Sequence, residues 1–279
     1  MSQPLRRNDA GIFDVTGNSP FPGTSSRRDI ELVRDYWDRN VDAWKITTQA
    51  PGNREFFLET EKYRFEKLHY LTKVIDFSCF AEKELLEVGC GLANDLSRFA
   101  KGGAEVTGID LSPRAIELSQ INFAQRGLNG HFMVMSGEAM TFADCSFDVV
   151  YCHTVLHFTP SPAAMISEIH RVLRPGGTAI LMTLNRRSWM NALRLLMRVE
   201  VDHLDSPVYR RFTIAEFEEL LSVFSGVRVL PERFPVPTKV HKGLKSRLYN
   251  ELFVGVFNAM PDAWTRRTGH HLMAFCKKR

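Results

Sequence analysis

The sequence predicts an alternating α/β chain built on a mostly parallel sheet. Three observations carry that expectation: five short apolar runs of strand length between residues 84 and 183, helical periodicity in most of the stretches joining them, and a glycine turn where the first run meets the first helix. Parallel neighbours need crossover connections, so helices should cover both faces of the sheet.

The elements follow in order. Residues 1–27 hold Pro4, Gly11, Gly17, Pro20, Pro22 and Gly23 with few periodic apolar positions, and read as a flexible arm. Ile30, Leu32, Val33, Trp37, Val41 and Trp44 suit one helical face, and a second helix is expected from Asn53 to Ile75, separated from the first by Pro51-Gly52. Strands are then expected at 84–88, 105–109, 132–135, 147–152 and 178–183, with helices at 94–101, 113–126 and 163–173. Beyond Asn185 come helices at 189–199 and 214–224, a strand at 227–230, a helix at 244–257 and a last strand at 271–276. The domain reading is an arm over 1–27, N-terminal helices over 28–76, and a main domain over 77–279 with a helical substrate cap over about 186–225.

Composition limits the function classes. At 279 residues, with 44% hydrophobic and 24% charged residues, the chain is long enough to bury one substantial core. A net charge of +4 without a long basic tract argues against a nucleic-acid partner. Cys79, Cys90, Cys145, Cys152 and Cys276 are odd in number and scattered, which suits a reducing compartment and neither a zinc site nor a disulfide framework. No apolar run approaches the about 18 residues that span a bilayer, and the N-terminus lacks a signal-peptide core. A soluble, cytoplasmic protein without a metal is the expectation.

The sharpest local signal is Leu85-Leu86-Glu87-Val88-Gly89-Cys90-Gly91 running into Asn94 and Asp95. Gly89 and Gly91 permit a tight turn and close approach of a ligand to the backbone. A dinucleotide fingerprint wants Gly or Ala at position 94, whereas this chain has Asn94 beside an acid, which would repel a pyrophosphate. Glu87 adds a second carboxylate, and such a pair suits a cationic sulfonium with an ammonium group, hence S-adenosylmethionine in preference to NAD. Asp110 ends the second strand 21 positions after Gly89, near the offset at which a carboxylate reaches ribose hydroxyls; the alternative is a cap on the following helix. Glu138, in Gly137-Glu138-Ala139-Met140, is placed to accept from an adenine amino group, with the next amide meeting a ring nitrogen.

With Phe142 to Cys152, the HTVLH stretch and Arg171-Val172-Leu173-Arg174-Pro175-Gly176-Gly177, this ordered set resembles the class I S-adenosylmethionine-dependent methyltransferases, in the branch acting on small molecules and lipids. The resemblance implies a Rossmann-like seven-stranded sheet with its last strand antiparallel, and a cofactor pocket at the carboxyl ends of the first strands. It implies that Glu87, Gly89 and Gly91 flank the methionine part, that Asp110 holds the ribose, and that Glu138 and Ala139 meet the adenine, sandwiched by Leu111 and Met140. Cys90, Asn94, Asp95 and Cys152 are counted with the cofactor contacts. The sequence departs from the family in Leu92-Ala93-Asn94, where a further Gly is more usual, and in Glu138, where Asp is commoner.

His153 and His157 follow the fourth strand, where the family places residues between cofactor and acceptor. If that segment is helical their spacing puts them on one face, and a neutral imidazole there takes a proton from a hydroxyl or a methylated carbocation. Residues 185–209, with Trp189, Met190, Leu193, Leu195, Leu196 and Met197, read either as helix packing or as a lid over an apolar acceptor, with Trp37, Trp44, Phe56, Phe57 and Tyr63 as the opposite wall. Arg210-Arg211 and Lys242, Lys245 and Arg247 are either solvated charges or an anion site; His270 and His271 read as structural. The implied acceptor is a small, apolar natural product, methylated on oxygen or on an isoprenoid alkene carbon through a cation. A nicotinamide oxidoreductase and a non-catalytic cofactor-binding module are the rivals, and exchange of the arm between subunits would make a homo-oligomer.

Overall fold

The computed structural model describes residues 25–41, 46–191, 193, 203–236 and 248–279. The chain runs α1 (Arg27–Arg39), α2 (Arg54–Lys67), α3 (Leu71–Val74), β1 (Glu84–Val88), α4 (Asn94–Lys101), β2 (Glu105–Asp110), α5 (Pro113–Arg126), β3 (His131–Val134), β4 (Phe147–Cys152), α6 (Pro162–Val172) and β5 (Leu173–Leu184). It continues with α7 (Ile214–Leu220), β6 (Ser225–Glu232), a π-helix (Leu248–Phe253), α8 (Val254–Ala259), α9 (Asp262–Thr265) and β7 (His271–Lys277).

The seven strands form one sheet in the order β3-β2-β1-β4-β5-β7-β6. The first five pair in parallel, and β7 lies antiparallel between β5 and β6. Strand order reverses between β1 and β4, which opens a crevice at the carboxyl ends of these two strands.

The two-residue period of the strands explains why both faces are covered. Leu86, Val88, Val150 and Cys152 face one core with Ile166, Ile169 and Phe217, while Leu85, Val149 and Tyr151 face the other with Leu71, Leu96, Phe99 and Phe123. Helix starts follow local chemistry. Ser26 and Asp29 form a capping box on α1, Ser112 caps α5 ahead of Pro113, Ser161 caps α6 ahead of Pro162, and Thr213 with Glu216 boxes α7.

Several expected elements differ. The helix predicted over 53–75 stops at Lys67, because Leu68, Tyr70, Leu71 and Ile75 are all buried and a continuous helix cannot turn both 68 and 70 inward. β5 and β6 extend beyond the predicted cores. The last long helix begins as a π-helix, and α9 is an additional turn of helix. The His153–His157 segment is a turn with Thr154 at φ 65°, not a helix. In the expected cap, residues 189–191 are helical; the predicted continuation through Arg194 to Val199, the arm before Ser25, Trp44, and Lys242, Lys245 and Arg247 lie outside the described residues. Among the described residues no helix is long and apolar enough to cross a membrane.

Candidate active site

The glycine turn is held from two sides. The amides of Gly89 and Cys90 both donate to the Ile109 carbonyl at the end of β2 (2.8 and 3.0 Å). From α5, Ser119 donates to the Gly91 carbonyl at 2.7 Å and Asn122 to the Leu92 carbonyl at 2.7 Å. Gly89, Gly91 and Ala93 have φ of 72°, 54° and 55°, so three alternate residues sit in the left-handed region. Only Ala93 carries a Cβ there, at a cost of about 1 kcal/mol.

Asp110 fastens the same turn. Its Oδ2 accepts from the Gly91 amide and its Oδ1 from the Ser112 amide, each at 2.9 Å. The helix cap is therefore Ser112, whose hydroxyl accepts from Ala115 and donates to Asp38. Burial raises the Asp110 carboxyl above its usual range, against the pull of those amides. Glu87 is 3% exposed with Oε2 unpartnered among the described residues, and beside it Asn94 Oδ1 is likewise without a donor. Burial, reinforced by Asp95, pushes the Glu87 carboxyl well above its ordinary value.

Asp95 is already neutralised. Arg64 on α2 grips both carboxylate oxygens, with Nε at 2.5 Å, and the Tyr151 hydroxyl donates to it at 2.7 Å. Burial works to raise this carboxyl, and the Arg64 guanidinium overcomes that and holds it low. The paired-carboxylate expectation thus narrows to Glu87 with the Asn94 carbonyl.

These groups line a cavity of about 320 Å³ at the crevice. Glu87, Gly89, Cys90, Gly91, Asn94, Asp95, Asp110, Leu111, His153 and His157 all stand in its wall. Glu138, Ala139, Met140 and Cys152 do not. The Glu138 carboxylate accepts from Thr159, itself in the wall, from the Ser161 amide and from Ser25. The Ala139 amide donates to Ser136 and the Met140 amide to Glu168. Ser136 and Gly137 reach the wall in their place. Cys152 is fully buried in the sheet, where burial drives its thiol upward.

His153 belongs to a buried polar string. Arg64 stands 3.2 Å from its Nδ1 and the Tyr70 hydroxyl 3.0 Å from its Nε2; Tyr70 is also 2.7 Å from His271 Nδ1, and Arg233 is 3.0 Å from His271 Nε2. Guanidinium groups only donate, so each imidazole accepts from its arginine and donates to the Tyr70 oxygen. Both ring nitrogens of His153 are engaged, and neither is left for an acceptor's proton. His157 differs: it is 2% exposed and its Nδ1 has no partner among the described residues. Burial, then the neighbouring His203, lowers it to about 3.

An apolar chamber adjoins His157. Trp37 from α1 packs edge-on to Phe158 at 4.8 Å between centroids, and Phe158 lies 4.3 Å from His157 and 5.8 Å from Tyr209. Arg210 donates through one amino group to the carbonyls of Thr159 and Pro160, and its charge is attracted by the Glu138 carboxylate. Arg64, Tyr70, Arg233 and the role of His271 were missed by the sequence reading. Only the insertion of β7 beside β5 brings His271 near the end of β4, and no local pattern reports that.

The sequence family described as a methyltransferase domain matches residues 86–181. A ubiquinone biosynthesis O-methyltransferase from Pseudomonas aeruginosa is 34% identical over 154 residues, 53% of this chain and 65% of that protein. The sterol 4-C-methyltransferase strm-1 of Caenorhabditis elegans is 25% identical over 269 residues, 92% of this chain and 76% of that one. Matches to the ubiquinone enzymes span about half to two thirds of their length. Among solved structures, a possible histamine N-methyltransferase from Thermotoga maritima aligns at TM-score 0.57 and 16% identity, covering 88% of this chain and 100% of that one. The [4+2]-cyclase SpnF aligns at 0.58 and 16%, covering 94% and 99%. The glycine turn and the strand order thus accompany a methyltransferase-domain match over residues 86–181, in a fold shared with S-adenosylmethionine-dependent methyltransferase structures.

Proposed function

We propose that this protein transfers a methyl group from S-adenosylmethionine to a small, largely apolar acceptor seated against Trp37, Phe158 and Tyr209. The observation that carries the reading is the pair of orphaned buried acceptors, Glu87 Oε2 and Asn94 Oδ1, in the same cavity wall as Asp110 and the glycine turn. A buried carboxylate oxygen without a donor is costly unless a cation or hydrogen-bond donor meets it. An ammonium group supplies both, so these residues fit the methionine end of the cofactor. Asp110 keeps lone pairs for the ribose hydroxyls, and Leu111, Ser136 and Gly137 form the wall proposed for the adenine. When bound, S-adenosylmethionine supplies a methyl group on a cationic sulfur.

The chain's own part is mostly positioning in a dry chamber. His157 is proposed as the group that orients the acceptor hydroxyl and takes its proton late. An imidazole at about 3 is too weak to ionise a free hydroxyl, yet an oxygen that has just been methylated is a far stronger acid and can pass its proton to it. His157→Gln should lower turnover about a hundredfold while leaving S-adenosylhomocysteine affinity unchanged. Unchanged turnover would remove His157 from the reaction.

Binding should also be coupled to protons. A ligand ammonium favours ionised Glu87, whose carboxyl is raised in the free protein, so affinity should climb with pH until that raised value is passed. Titration calorimetry in buffers of different ionisation enthalpy would report the released proton; pH-independent affinity would contradict the assignment of Glu87.

The relatives named for ubiquinone and sterol support an apolar ring or isoprenoid acceptor. Carbon methylation is the second reading. It is favoured by the aromatic faces of Trp37, Phe158 and Tyr209, which would stabilise a carbocation. Incubation with methyl-labelled cofactor and a panel of quinols, sterols and polyprenyl compounds tests both, because the product carries its label on oxygen or on carbon. No labelled product from any apolar acceptor would count against the reading.

A further inference from the structure

Among the large apolar side chains of the described residues, the three most exposed are Trp264 (71%), Leu252 (60%) and Val256 (55%), and all three fall within thirteen positions of one another between β6 and β7. The other exposed apolar residues are scattered along the chain, as on any protein surface. The inner side of this helical segment is separately satisfied: Phe253, Phe257 and Met260 pack with Trp189, Met190 and Leu193. Leu252 and Val256 are four residues apart, on the outer side of the same helical run. The fold therefore gains little from these three side chains, and large apolar groups gathered on one short exposed segment mark a contact surface.

Charge identifies the partner. In the sequence, residues 237–268 contain six Lys and Arg against Glu251 and Asp262, an excess of four that equals the formal charge of the whole chain. Within the described part, Arg266 and Arg267 are exposed directly after Trp264. A second copy of this chain would bring like charges together on docking. An apolar face with an outward tryptophan and flanking cations matches the boundary of a bilayer with negatively charged headgroups. We propose that Leu252, Val256 and Trp264, flanked by Arg266 and Arg267, bind the surface of anionic membranes.

The position serves the cavity. Met190 is shared between the cluster beneath this face and the cavity wall, so a protein seated on lipid here holds its acceptor chamber beside the bilayer. Membrane binding goes beyond the proposed methyl transfer and stands or falls independently of it.

The test is co-sedimentation of the full chain with vesicles of pure phosphatidylcholine or of phosphatidylcholine with roughly one third phosphatidylglycerol, at low and high salt. The expected result is recovery with the anionic vesicles, weakened by salt and reduced about tenfold in Leu252→Ser/Trp264→Ser. Arg266→Glu/Arg267→Glu, which leaves the apolar face intact, should lose the preference for anionic lipid. Circular dichroism confirms that each variant is folded. The proposal is overturned if the wild type stays in the supernatant, if it binds neutral vesicles equally well, if folded variants bind as it does, or if the same substitutions instead abolish a dimer.

Discussion

Replacing Gly89 by alanine should destroy cofactor binding and lower stability, whereas Gly91→Ala should destroy binding and leave the fold intact. A Cβ on Gly89 would stand 2.3 Å from Val155 Cγ2, with the backbone at φ 72°. Val155 is β-branched and lies in the turn after β4, so it cannot swing aside as a long flexible side chain does. Left-handed strain and the clash together should remove about 3 kcal/mol of stability and more than a hundredfold in affinity. A Cβ on Gly91 meets no protein atom within 4 Å, although φ is 54°. Gly91 lines the same cavity as Glu87, Asn94 and Asp110, so the fold should lose only the about 1–2 kcal/mol of left-handed strain while the proposed ligand loses close approach to the backbone. Thermal denaturation and calorimetry with S-adenosylhomocysteine separate the two variants. Wild-type affinity in Gly91→Ala would show that the ligand lies elsewhere.

Acidification should unfold this protein well above the usual carboxylate range. His153, His157, His270 and His271 are all buried, and burial holds each below the 6.5 of an exposed imidazole. Their folded values are depressed, so between those values and 6.5 the unfolded chain binds the more protons, and stability falls as pH drops through that window. Each neutral imidazole contributes about 1.4 kcal/mol per pH unit. Glu87 and Asp110, with the less buried Glu84 and Glu232, act in the opposite sense: their raised carboxyls take up protons in the folded state and return stability as pH falls. Only Glu87 among these carboxyls is pushed well above its ordinary value, so below pH 6.5 the four imidazoles outweigh them and stability falls by on the order of 1–4 kcal/mol per pH unit. Melting temperatures from pH 7.5 down to 5 should fall steeply, and less steeply in His157→Gln. A flat profile would mean that these imidazoles are not held neutral.

The sheet was legible because its strands are buried on both faces and so read as apolar runs with glycine or acid at their ends. The runs at 84–88 and 147–152 and the helices at 94–101 and 113–126 lie where the sequence puts them. The turn at Gly89 to Gly91 and its distance to Asp110 were legible for the same reason, since close approach of two strand ends constrains residue type and spacing together. Partnerships made across the fold were not. Asp95 looked like half of a carboxylate pair because nothing near it in sequence announces Arg64, 31 positions earlier on another helix. Glu138 looked like an adenine ligand, and only the folded loop supplies the Thr159 hydroxyl and Ser161 amide that claim it. Spacing alone suggested one helical face for His153 and His157, while left-handed Thr154 breaks the segment into a turn and gives the two imidazoles separate surroundings.

Titration calorimetry of the purified chain with S-adenosylhomocysteine, alongside Asp110→Asn, tests the central claim most directly. The account predicts one site per chain for the wild type and an affinity at least a hundredfold weaker in the variant, because Asp110 anchors the Gly91 amide and is the residue proposed to hold the sugar. A folded wild-type protein that gives no heat with this nucleoside, or an Asp110→Asn variant that binds it equally well, would contradict it.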